Sequence, residues 1–180
     1  MKFRILVTAI LAAPLCLPTT VQAEAHPPVI QPIQPSVQAT QADWSEFSST
    51  QGGFAVSMPG TPQEKIQTDV DRSFLLTLGK SYYYVHYTDI PDIEKLNADE
   101  LKDLLDKMPM VFVEGVEGKL VTERNVILNG YLGKEFEFTL GDDSVGQARV
   151  YMVEQRLFII VGMSSEPENA QKFLQSFRLL

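Results

Sequence analysis

Histidine, serine and carboxylate side chains carry whatever chemistry this sequence has to offer, and their spacing sorts them quickly. Of the two histidines, His26 lies among prolines and His86 lies between Val85 and Tyr87. One imidazole in the patterned part of the chain, with no thiolate beside it, cannot supply the three or four nitrogen and sulfur ligands of a zinc centre. His86 therefore reads as a packed or edge residue of a strand rather than as a catalytic base. A serine nucleophile needs a base within hydrogen-bond reach. Ser81, Ser144, Ser164 and Ser165 fall in turns, and no G-x-S-x-G elbow occurs. Gly130 and Gly133 bracket a turn between strands instead of opening a helix, so no phosphate-cradling glycine pattern is present.

Hard-cation chemistry has more support in residue type. Asp89, Asp92 and Glu94, followed by Asp99, Glu100, Asp103 and Asp106, place seven carboxylates within 18 residues, relieved by Lys95 and Lys102. Calcium takes such oxygens, which makes Asp89, Asp92 and Glu94 the metal candidates. The run lacks the central glycine and terminal glutamate of an EF-hand loop, so a solvated acidic face is the simpler reading. Paired carboxylates for glycoside hydrolysis would need a cleft to hold them. The aromatic residues point to recognition instead. Tyr82, Tyr83, Tyr84 and Tyr87 cannot all face inward along one strand. If Tyr82 and Tyr84 were exposed near Trp44 and Phe47, those four rings would form a protein- or peptide-binding patch; packing beneath a helix is the plainer alternative.

The chain has 180 residues, 15 Lys+Arg against 23 Asp+Glu, and a formal net charge of −8. That balance argues against nucleic-acid binding, which needs concentrated Lys and Arg to displace counterions from phosphate. Met1-Lys2-Phe3-Arg4 is a short basic region, Ile5 to Leu17 is apolar apart from Thr8 and Pro14, and Val21-Gln22-Ala23 supplies small residues for cleavage after Ala23. The pattern predicts a signal peptide over residues 1–23. Its apolar run falls short of the ~20 residues of a membrane-spanning helix, so the processed protein is expected not to be integral to a membrane. Cys16, the single cysteine, follows Leu15 and not the small residue that lipidation requires. Processing removes Lys2, Arg4 and Cys16, leaving 13 basic against 23 acidic residues, a formal −10, with no disulfide or thiolate chemistry.

Residues 24–43 carry Pro27, Pro28, Pro32 and Pro35 with Gln31, Gln34, Gln38 and Gln41, but no glycine or aromatic residue. Such a segment reads as a Pro/Gln-rich linker favouring extended geometry. Residues 44–180 then read as one globular domain. Phe54–Met58, Lys65–Asp71, Ser73–Leu78, Tyr82–Tyr87, Lys119–Leu128, Lys134–Leu140, Gln147–Val153 and Arg156–Met163 pattern as strands, with Asn129-Gly130 as a hairpin turn. Phe158-Ile159-Ile160-Val161 is apolar on both faces, the signature of a central strand covered on both sides. Asn97-Ala98-Asp99-Glu100 is a capping box opening a helix with Leu101, Leu104, Leu105 and Met108 on one face. Pro109 leaves open whether that helix continues. Ser165-Glu166-Pro167-Glu168 predicts a second capping box, before a terminal helix faced by Ala170, Phe173, Leu174 and Phe177. The fold class is α+β: a mainly antiparallel sheet flanked by helices.

Three stretches carry a family resemblance: Phe54-Ala55-Val56-Ser57-Met58-Pro59-Gly60-Thr61-Pro62, Tyr87-Thr88-Asp89-Ile90-Pro91-Asp92 and Phe173-Leu174-Gln175-Ser176-Phe177-Arg178. With Gly133-Lys134-Glu135-Phe136-Glu137-Phe138 and the order of elements, the chain resembles small exported bacterial domains and the PsbP / Ran-binding Mog fold family, over about residues 47–180. The resemblance implies a PsbP-like α/β/α sandwich acting as an accessory domain without known catalysis. PsbP-type subunits support calcium and chloride retention through a basic docking surface, whereas this chain is acidic. The resulting expectation is a non-catalytic exported interaction domain, in the periplasm, thylakoid lumen or extracellular space, docking on a protein partner without a cofactor. The alternative is a small-ligand- or calcium-binding protein, or a small hydrolase, with a pocket between sheet and helix.

Overall fold

The computed structural model describes residues 43–180; the signal-peptide reading and nearly all of the linker reading lie outside them. Strand-forming stretches bounded by turn residues give β1 (Ser45–Ser49), β2 (Phe54–Met58), β3 (Gln63–Thr68), β4 (Asp71–Leu78) and β5 (Ser81–Asp89). A short 3-10 turn, Ile93–Lys95, leads into α1 (Ala98–Gly115). Four strands follow, β6 (Lys119–Leu128), β7 (Tyr131–Thr139), β8 (Val145–Val153) and β9 (Arg156–Met163), and then α2 (Pro167–Ser176) and β10 (Arg178–Leu179). The main sheet has seven strands in the order β3-β4-β5-β9-β8-β7-β6, every neighbouring pair antiparallel. The apolar run of β9 does occupy the centre, buried from Leu157 to Gly162.

Local chemistry accounts for the joins. Asn129 and Gly130 both adopt positive φ, 51° and 89°, as a tight β6–β7 hairpin turn requires. Gly146 on β8 is required by packing: a Cβ there would run into the Phe138 ring on β7. The β3–β4 turn falls at residues 69–70, so Asp71 opens β4 instead of closing the preceding strand.

The first capping box forms as its residues dictate. Asn97 accepts from the N–H groups of Asp99 and Glu100, and Glu100 accepts the N–H of Asn97, at 3.0 Å each. The helix runs on through Pro109 to Gly115. An interior proline costs about 3 kcal/mol. Continuation buries Phe112 and Val113 beside Met108 and Pro109 itself, at about 1.5–3 kcal/mol for each large side chain, which offsets the lost hydrogen bond. The second capping box does not form. Pro167, with φ preset for the first helical position, makes Glu166 the cap residue, and no cap side-chain bond is present there. The Glu166 carboxylate instead accepts from Asn169 Nδ2 at 2.7 Å.

A second sheet, not anticipated from the sequence, joins β1, β2 and β10 in that order. It lies with α2 on one face of the main sheet, over a core of Phe54, Phe74, Tyr87, Phe158, Phe173 and Phe177. Ring contacts tie this layer together, Phe54 to Phe177 stacked at 5.6 Å and Phe54 to Phe74 edge-on at 5.5 Å. On the opposite face α1 packs over β6, β7 and β8, closing a core of Leu105, Phe112, Phe136, Phe138, Val150 and Ile159. The two covering layers are therefore staggered across the sheet. α1 packs chiefly on β6–β8 and α2 chiefly on β9, β2 and β8, so the α1-side face of β3–β5 and the α2-side face of β6–β7 are the less covered quarters.

Candidate functional site

The partly covered α2-side quarter holds a cleft of about 230 Å³ between α2 and strands β6–β8. Strand register builds it. Arg124 on β6 and Arg149 on β8 stand opposite Glu135 on β7, and Thr122 and Gln147 stand opposite Glu137. Glu135 is gripped from both sides: Arg124 Nε donates to Oε1 and Arg149 Nε to Oε2, each at 2.7 Å. Burial pushes the Glu135 carboxyl up, but the hydrogen bonds from Arg149 and Arg124 overcome it and hold the group below the usual range. Arg149 also donates through Nη1 to the Leu174 carbonyl at 2.9 Å, which fastens the last turn of α2 to the sheet. Gln171 and Gln175 of α2 complete the wall.

The α1-side quarter over β4 and β5 carries a different set. Asp71 accepts from or pairs with His86 Nε2 at 2.8 Å, and Ser73 lies directly opposite His86 in register. These three residue types in proximity invite a hydrolase reading, yet Ser73 is only 2% exposed, out of reach of a substrate. Tyr84 lies in the same row, its ring 6.2 Å from His86. Burial pushes its phenol up, with the Ser73 hydroxyl opposing and the Asp71 charge reinforcing the effect.

The residues singled out in the sequence are dispersed. Asp89 holds Arg156 in a two-point ion pair, at 2.6 and 2.9 Å, so both its oxygens are occupied. Asp92 pairs with Lys95 at 2.6 Å, and Glu94 is exposed on the 3-10 turn. Among the described residues, no three His, Cys, Asp or Glu side chains converge as a metal-binding group. The aromatic candidates divide between the two faces of the sheet. Trp44 sits edge-on to Tyr83 at 5.6 Å, beneath the Lys172 ammonium, and Phe47 packs on Phe54 and Phe74. Tyr82 and Tyr84 point the other way, half-exposed. Sequence reasoning missed the cleft because its charged residues are 11 and 14 positions apart and only strand pairing gathers them. The available signal was the charged alternate row of β7, Glu135 and Glu137, on a face no apolar residue claims.

No protein-family model matches the sequence, and no curated protein matches it. Solved structures do. The solution structure of cyanobacterial PsbP (CyanoP) from Synechocystis sp. PCC 6803 superposes with a TM-score of 0.58 at 15% identity, covering 82% of this chain and 99% of that one. The fold is PsbP-like. A likeness to the protein PA94 of unknown function from Pseudomonas aeruginosa has a TM-score of 0.34 at 9% identity, over 69% of this chain and 85% of that one. The PsbP-like arrangement matches the expected antiparallel sheet flanked by helices. None of its described helices is long and apolar enough to cross a membrane.

Proposed function

We propose that this protein is a non-catalytic exported accessory domain that docks on a protein partner in the periplasm, thylakoid lumen or extracellular space. The staggered layering carries this reading. It leaves two quarters of the main sheet presenting half-exposed aromatic and charged side chains, with Tyr82, Tyr84 and His86 on one and Arg124, Glu135 and Glu137 on the other. Aromatic side chains and arginine are among the residues enriched in recognition surfaces. The basic opening, apolar run and small residues before Glu24 support export. A small hydrolase has less support, since His86 bonds Asp71 while the serine across from it is buried. Calcium binding likewise lacks gathered carboxylates among the described residues. The test is co-purification of the tagged protein from the exported fraction of its native cells, with mass spectrometry of its N-terminus. A stable stoichiometric partner and a chain starting at Glu24 are expected; a lone monomer beginning at Met1 would overturn the proposal.

A further inference from the structure

We propose that the cleft beside α2 receives a single basic side chain, lysine or arginine, projecting from the docked partner. This rests on the docking reading and adds to it the partner's chemistry. The charges facing into the cleft pair unevenly: Glu135 and Glu137 share one face of β7, and Arg124 and Arg149 both stand across from Glu135. Both guanidiniums are committed to Glu135, and Arg149 is further spent on the Leu174 carbonyl. No ion pair among the described residues engages Glu137. An incoming anion would meet Glu137 beside two guanidiniums that Glu135 already holds. An incoming ammonium or guanidinium would find the Glu137 carboxylate, flanked across β7–β8 by Gln147 and faced from α2 by Gln171 and Gln175. Each of those amides offers a carbonyl oxygen to a donor, and lysine and arginine head groups are donors only. At about 230 Å³ the space holds about eight waters, the scale of one long side chain. The formal charge of −8 favours approach of a basic partner over the whole surface.

The probe is Nα-acetyl-argininamide, followed by NMR of the side-chain amides of Gln147, Gln171 and Gln175 in the full protein, with the neutral citrulline analogue as control. Saturable shifts with the arginine compound are expected, at least tenfold weaker with citrulline and at least tenfold weaker in Glu137→Gln. The exposed-helix variant Asp103→Asn should bind as the wild type does. Unchanged melting temperatures in both variants keep the comparison clean. Equal shifts with citrulline, undiminished binding in Glu137→Gln, or equal loss in Asp103→Asn would overturn the cleft's role. With a co-purified partner in hand, Glu137→Lys should release it at least tenfold faster. If that variant retains the partner, the cleft inference falls and docking stands; if arginine binds but native cells yield no partner, docking falls and the cleft's preference for a cation stands.

Discussion

Asp106 on α1 holds two lysines at once, Lys102 and Lys134, each at 2.6 Å. The hydrogen bond from Lys102, and then that from Lys134, lower its pKa from 3.8 to about 2. A carboxylate held below its unfolded value stabilises the fold fully above that value and loses the contribution as pH falls through the folded one. The urea midpoint should thus drop between about pH 4 and pH 2, and Asp106→Asn should begin lower at neutral pH and fall less steeply across that window. Parallel slopes for the two proteins would show that the acid sensitivity lies elsewhere. Arg156 is another many-partnered residue. Besides Asp89 it donates to the carbonyls of Gln51 and Gly52 and lies 4.6 Å from the centre of the Tyr87 ring. Arg156→Ala should cost roughly 2 kcal/mol in urea unfolding, because charge-assisted bonds and stem packing are lost together.

Elements differ in how openly the sequence announces them. The capping residues of α1 act locally, so Asn97→Ala is expected to lower stability by about 1 kcal/mol, readable by circular dichroism melts. The same locality made β5, β7, β8 and β9 legible: β-branched and aromatic residues alternate between two faces, and burial of Tyr83, Val85 and Tyr87 follows that alternation. β1 was not legible. Its Ser-Glu-Phe-Ser-Ser offers one apolar residue, and its strand conformation comes from pairing with β2 from Ser45–Met58 to Ser49–Phe54. The two-residue β10 is likewise defined by its partner, Arg178 to Ala55 and Leu179 to Phe54. Pro109 left the helix end ambiguous because a local penalty competes with burial that only the folded sheet provides. The cleft was hidden for the same reason: β6, β7 and β8 had to pair before Arg124 and Arg149 could meet on Glu135.

At the scale of the molecule, the small sheet links distant parts of the chain. Its central strand, β2, is flanked by β1 immediately before it and β10 far beyond it, and Ser57 N–H donates to Ser176 Oγ across 119 residues. Truncation before Arg178 should strip protection from the β2 amides in hydrogen exchange while the β7–β8 amides keep theirs; equal loss in both would mean that the layers unfold as one unit. The pairing also imposes an order in time. Phe54, Val56 and Met58 emerge early in synthesis, yet the last strand and helix that enclose them emerge only when nearly the whole domain has been made. The α2-side core thus stays incomplete while the chain grows, which leaves the apolar face of β2 as surface that a chaperone can hold until synthesis ends.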